Sequence, residues 1–194
     1  MNAETDVMLG GHKARHEEPN YRSYEFAGAA HLRDLDCAEF GLAEPASANC
    51  AEWTPFLRAM LVAGLDWCNG VLPPPSVWLG APNSAQILRD ANGNALVTHV
   101  GGVALSTAGY RLPEVAVGQN QYLPFAPQFA DGTFLGDFRA VAGSHVDLTA
   151  NFPSQAAYVA AITQHAQALQ AGRYLLPADA AAILQRAVSS SIGN

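Results

Sequence analysis

Tyr21-Arg22-Ser23-Tyr24-Glu25-Phe26-Ala27-Gly28-Ala29-Ala30-His31 reads as a short strand that runs into a turn of small residues and delivers a histidine. Aromatic residues enrich the run, with Pro19-Asn20 before it and Gly28 after it. A strand of about seven residues, roughly 23 Å long, is therefore predicted over Tyr21 to Ala27. A histidine set just beyond a strand end is a candidate general base. Upstream, Glu4-Thr5-Asp6 places two carboxylates near the start of the chain. A carboxylate and a histidine are two of the three groups that an acyl-transfer triad needs, the third being a nucleophile.

Working outward, Val7-Met8-Leu9 before Gly10-Gly11 reads as a segment leaving an earlier strand, whose body is expected to lie before Met1. Downstream, Trp53, Phe56, Leu57, Met60, Leu61, Leu65 and Cys68 fall at helical spacing, which predicts an amphipathic helix covering a sheet face. Thr54 is its expected N-cap, Pro55 its first helical residue, and Asn69-Gly70 its C-terminal stop before Pro73-Pro74-Pro75. From Ser76 to Phe152 no period persists, and long irregular loops with short strands are expected. One turn stands out there, Asp90 to Asn94, between Ile87-Leu88 and Ala95-Leu96-Val97. Two helices close the chain. One is capped by Ser154 and runs from Gln155 to Gln170, with Tyr158, Ala161, Ile162, His165 and Leu169 along one side; the other runs from Ala178 to Val188. There is no internal repeat and no low-complexity tract.

Composition narrows the function classes. The 194 residues are 49% hydrophobic and 14% charged, enough for a core and unlike a disordered chain. A net charge of −7 with ten scattered Lys and Arg residues argues against nucleic-acid binding, because nothing gathers the cations that would neutralise phosphates. No run of about 18 apolar residues occurs, so no membrane span is expected. The acidic start, Met1 to Asp6, is not a secretory signal, and the compartment stays open. Cys37, Cys50 and Cys68 lack C-x-x-C spacing; Cys37 and Cys50 either pair or remain buried thiols.

Several patches together resemble the C-terminal part of the alpha/beta hydrolase domain family. They are Glu4-Thr5-Asp6-Val7, then Tyr21 to Gly28 with His31, then Asp66-Trp67-Cys68-Asn69-Gly70 before the three prolines. Further on come Asp90-Ala91-Asn92-Gly93-Asn94-Ala95, Gly101-Gly102, Arg111-Leu112-Pro113, Gly143-Ser144 and Tyr174 to Ala180. The likeness covers nearly the whole chain. It implies an α/β class: the C-terminal portion of an α/β-hydrolase fold, an incomplete parallel sheet with flanking helices and a long irregular segment. Residues 1–72 then hold the last triad-bearing strand, its loop and a covering helix, and residues 73–194 form the family's C-terminal segment within the same domain.

In that fold the nucleophile, acid and histidine follow successive strands in chain order. The resemblance thus makes His31 the base and Asp6 or Glu4 the acid. Asp6 is preferred, since Ala3-Glu4-Thr5-Asp6 has the family's shape of a small residue, two others and an aspartate.

No serine stands in G-x-S-x-G; Ser23, Ser47, Ser76, Ser84, Ser106, Ser144 and Ser154 all fail the test. The expectation is a truncated serine hydrolase, or one begun at an internal methionine. It would cleave a carboxylic ester or related acyl bond of a small-molecule substrate, and would be inactive alone for want of a nucleophile and an oxyanion hole. Stability would call for the missing N-terminal portion or an oligomeric partner, because a sheet cut short leaves open edges. No cofactor and no metal is expected. His12 and His16, among Lys13, Arg15, Glu17 and Glu18, read as a solvated loop, and His99 and His165 as ordinary loop and helix-side residues. His145, in Gly143-Ser144-His145-Val146-Asp147, cannot form a triad with its immediate neighbours, whose side chains diverge. The competing reading is a stand-alone, non-catalytic binding or scaffold module derived from the same fold.

Overall fold

Along an extended strand the N–H and C=O of one residue point to the same edge, and successive residues alternate between edges. From Ser23 to Ala27 every odd-numbered residue spends its backbone groups on one side. Val77 N–H donates to Ser23 O (3.0 Å) and Glu25 N–H to Val77 O (2.9 Å); Tyr110 N–H donates to Glu25 O (2.8 Å) and Ala27 N–H to Tyr110 O (2.9 Å). Both bridges, Tyr24 to Val77 and Phe26 to Tyr110, are parallel. The opposite edge is left for β1 (Asn2–Ala3), which runs parallel to β2 (Glu25–Phe26) with Asn2 opposite Glu25 and Ala3 opposite Phe26.

In the computed structural model of the chain the described residues are 2–3, 18–32, 49–79, 88–89, 95–96, 109–117, 120–123, 143–147, 150 and 152–192. They differ from the sequence reading at two points near β2. The regular strand is shorter than seven residues, because Tyr21 N–H turns back to Glu18 O (3.2 Å) and the Arg22 guanidinium caps the carbonyls of Glu18 (2.9 Å) and Tyr21 (2.7 Å). Pro19-Asn20 closes that tight loop, so the Tyr21 N–H is spent before the ladder begins. Secondly, the strand placed wholly before Met1 has Asn2–Ala3 within the chain.

Helix α1 spans Thr54–Cys68, with Trp53 rather than Thr54 at the cap position and no side-chain cap. Pro55 sits in its first turn, where a missing N–H has no partner to lose. At the other end Asn69 and Val71 donate to Asp66 O and Gly70 to Trp67 O, and Gly70 takes φ +87°. The buried stripe is Pro55, Phe56, Ala59, Met60 and Ala63, whereas Leu61 and Leu65 are 67% and 68% exposed. The buried face thus lies toward the alanines rather than the two leucines. Phe56 is fully buried and stacks on Tyr174, with centroids 6.5 Å apart and planes 15° apart.

The expected turn at Asp90 to Asn94 is flanked by an antiparallel pair, β3 (Leu88–Arg89) and β4 (Ala95–Leu96), with Leu88 opposite Leu96. Helix α2 (Pro113–Ala116) is a single turn that no periodicity announces. Strands β5 (Asn120–Leu123) and β6 (Ser144–Asp147) form a further two-stranded sheet. Helix α3 (Gln155–Ala171) is capped as expected, Ser154 Oγ accepting from Ala157 N–H at 3.2 Å. Helix α4 (Pro177–Ser189) closes the chain. Tyr158, Ile162 and Ala166 of α3, and Ala180, Ile183 and Ala187 of α4, are buried at helical spacing. Among the described residues no helix is long and apolar enough to cross a membrane.

Contacts gather the chain into two compact units that alternate along it. One is Met1–Glu52, Ser76–Tyr110 and Gln121–Val146; the other is Trp53–Pro75, Arg111–Asn120 and Asp147–Asn194. The first carries the parallel ladder and the turn that follows it. In the second, Arg58 of α1 forks onto Asp179 in the first turn of α4 (Nε to Oδ1 3.1 Å and to Oδ2 3.2 Å). Arg186 near the end of α4 reaches Glu114 of α2 (2.8 Å). Each acid lies in the first turn of its helix and Arg186 in the last turn of its own, the placement that the helix dipole favours.

Candidate active site

Beyond β2 the chain needs to leave the ladder without opening the core. Gly28 turns it at φ +74°, a conformation that costs a side-chain-bearing residue about 1–2 kcal/mol. Ala29 and Ala30 follow, 2% and 4% exposed, small enough to lie under neighbouring atoms. His31 then emerges, and Leu32 returns to the interior at 8%. From Ser23 to Leu32 every residue is buried except His31. An imidazole that alone breaks the surface of a buried run is open to a reacting group.

The strand directions bear on the acid. Because β1 and β2 are parallel and adjacent, with Ala3 opposite Phe26, the chain leaves both strands toward the same end. Glu4 and Asp6 lie one and three residues beyond Ala3, and His31 five beyond Phe26. Neither Glu4 nor Asp6 is among the described residues.

Two buried polar side chains that the sequence reading passed over hold this region. Glu25 is fully buried, and its Oε2 accepts the Leu79 N–H at 2.7 Å, pinning the 76–79 segment to β2. Asn49 is 1% exposed; its Nδ2 donates to Gly28 O at 2.8 Å and its Oδ1 accepts from Ala51 N–H at 2.9 Å. The available signal for Asn49 was weak: asparagine commonly bonds the backbone two residues on, but no sequence rule tells which distant carbonyl it also meets.

The remaining histidines and cysteines sort as follows. His145 lies in β6, half-buried beside an exposed Val146. His165 is more than a helix-side residue: it is half-buried on α3 and its Nε2–H donates to Arg111 O at 3.1 Å. Burial lowers its pKa and the Arg111 guanidinium adds to that, against opposing pulls from the Arg111 carbonyl and Glu114. On the same helix, burial and the Glu114 carboxylate push the Tyr158 phenol up to about 12, with Arg186 pulling the other way. Cys50 and Cys68 are exposed rather than buried. Cys37, His12, His16 and His99 lie outside the described residues. Among the described residues no group of three His, Cys, Asp or Glu side chains could hold a metal ion.

Compared with known families, residues 1–185 match the sequence model described as alpha/beta hydrolase domain. No curated protein and no solved structure matches the chain.

Proposed function

We propose, from the premise that this chain belongs to the alpha/beta hydrolase domain family, that it supplies the base and the carboxylate of a serine hydrolase acting on a carboxylic ester or related acyl bond. The observation that carries this reading is the isolated emergence of His31 from a buried run, just past a strand whose parallel neighbour leads directly to Glu4 and Asp6.

In this reading one ring nitrogen of His31 takes the proton of a serine hydroxyl as it attacks the acyl carbon. The other N–H is held by Asp6, or by Glu4, which fixes the tautomer and stabilises the imidazolium. The same proton then passes to the leaving alkoxide, and a second cycle with water releases the acid. Since no serine of the sequence stands in G-x-S-x-G, the nucleophile and its oxyanion-hole donors are carried by polypeptide outside these 194 residues. The chain by itself therefore turns over no ester.

A fluorophosphonate probe tests this directly. The 194-residue chain is expected to remain unlabelled, and labelling would refute the missing nucleophile. In a gene product that carries the serine, His31→Gln should cut kcat on the order of 10⁴-fold or more. Turnover unchanged by that substitution would refute His31 as the base and leave the non-catalytic module as the better reading.

A further inference from the structure

We propose that Asn49 is the positioning residue of the His31 turn: its buried amide fixes the peptide plane from which the imidazole is presented. The clamp stands on geometry alone, while its catalytic meaning rests on the reading of His31 as the base.

Gly28 O belongs to the peptide that joins Gly28 to Ala29, so its direction decides where Ala29, Ala30 and His31 go. That carbonyl accepts from Asn49 Nδ2 at 2.8 Å, and the other end of the same amide accepts from Ala51 N–H at 2.9 Å. With both ends engaged the amide cannot flip, because the exchange would set oxygen against the Gly28 carbonyl and NH₂ against the Ala51 N–H. Asn49 is 1% exposed and Ala51 5%, so water does not compete for these bonds. The two alanines between the clamped peptide and His31 are 2% and 4% exposed, so their packing leaves the backbone little room to absorb a tilt. A rotation at Gly28 therefore passes to the His31 backbone and swings its ring. A base displaced by about 1 Å loses on the order of 100-fold in rate. Asn49 would thus set turnover without touching substrate.

The experiment follows the His31 ring nitrogens in the ¹⁵N-labelled chain by proton-nitrogen correlation, with His31→Gln assigning the signals. Asn49→Ala removes both bonds and is expected to shift the ring signals. Asn49→Asp keeps the acceptor and loses the donor, so its carboxylate would face the Gly28 carbonyl and displace the turn. On lowering the pH the carboxyl gains a proton, its O–H donates to Gly28 O, and the His31 signals should return to those of the unmodified chain at the same pH. Ser76→Ala is the control, since it removes another buried bond of this unit, Ser23 N–H to Ser76 Oγ at 3.0 Å. It should lower stability and leave His31 where it was.

Ring signals unmoved in the Asn49 variants at every pH, or moved as far by Ser76→Ala, would overturn the proposal. Should Asn49→Ala fail to fold, the near-isosteric Asn49→Asp decides. In a gene product that carries the serine, Asn49→Asp above its carboxyl titration should lower kcat about 100-fold with KM unchanged. If His31→Gln leaves turnover intact, the base assignment fails, and the ring signals still decide the clamp.

Discussion

Three glycines separate the two reasons a position can require glycine, and their alanine variants should rank accordingly. At Gly64, inside α1, an added Cβ would meet nothing within 4 Å and no positive φ applies, so Gly64→Ala should stabilise by about 0.5–1 kcal/mol through lost backbone entropy. At Gly70 the space is also empty, but φ is +87°; Gly70→Ala should cost about 1–2 kcal/mol from conformation alone. Gly109 carries both burdens. Its φ is +64°, and a Cβ would lie 2.3 Å from Leu79 Cδ2, 3.0 Å from Leu79 Cγ and 3.3 Å from the Ala27 nitrogen. Leu79 is fully buried and its N–H is bonded to Glu25, so it has little room to retreat. Adding an overpacking term of about 1–3 kcal/mol to the conformational one gives about 2–5 kcal/mol for Gly109→Ala. Urea denaturation followed by far-ultraviolet circular dichroism reads all three. A Gly109→Ala variant as stable as Gly70→Ala would show that Leu79 yields freely, and would refute a tight edge beside β2.

Two pH dependences follow from α3. His165 is held neutral by burial, so the unfolded chain binds more protons below the ordinary value of 6.5. Its stabilising contribution is complete above that pH and is lost as pH falls below it, and His165→Gln should flatten the acid limb of a melting-temperature profile. The Tyr158 phenol has the opposite sense: with its pKa at about 12 against an ordinary 10.0, the folded chain keeps the proton longer, and stability declines as pH rises through that interval. Tyr158→Phe should remove an ultraviolet tyrosinate step centred near pH 12.

What the sequence revealed were the features written locally. Ser154 caps α3 because its side chain needs only the N–H three residues on, and the segments flanking the turn expected at Asp90 to Asn94, which lies outside the described residues, pair antiparallel. The emergence of His31 was likewise legible, since an aromatic strand, a glycine and two alanines leave the next residue as the natural exit. Features set by distant partners were not. Leu61 and Leu65 look like core residues until Ala59 and Ala63 are seen to share the buried stripe with Phe56 and Met60, a choice of face made by the rest of the fold and not by helical spacing. Asn49 and Gly28 are 21 residues apart, and the pairing of Val77 and Tyr110 with one edge of β2 spans longer loops. Such contacts are decided by the closure of the whole ladder, which no window of sequence contains.

The alternation of the two units along the chain bears on how the polypeptide can be made and cut. A ribosome releases the β2 ladder in instalments, since its strand partners Val77 and Tyr110 both arrive only after the α1 segment has been made. The helical unit is finished only when α4 has been synthesised. Neither body can be isolated by a single proteolytic nick, because any one cleavage leaves at least one of them stitched from both products. Limited digestion should therefore yield nicked, co-migrating complexes under native conditions and separate bands only after denaturation.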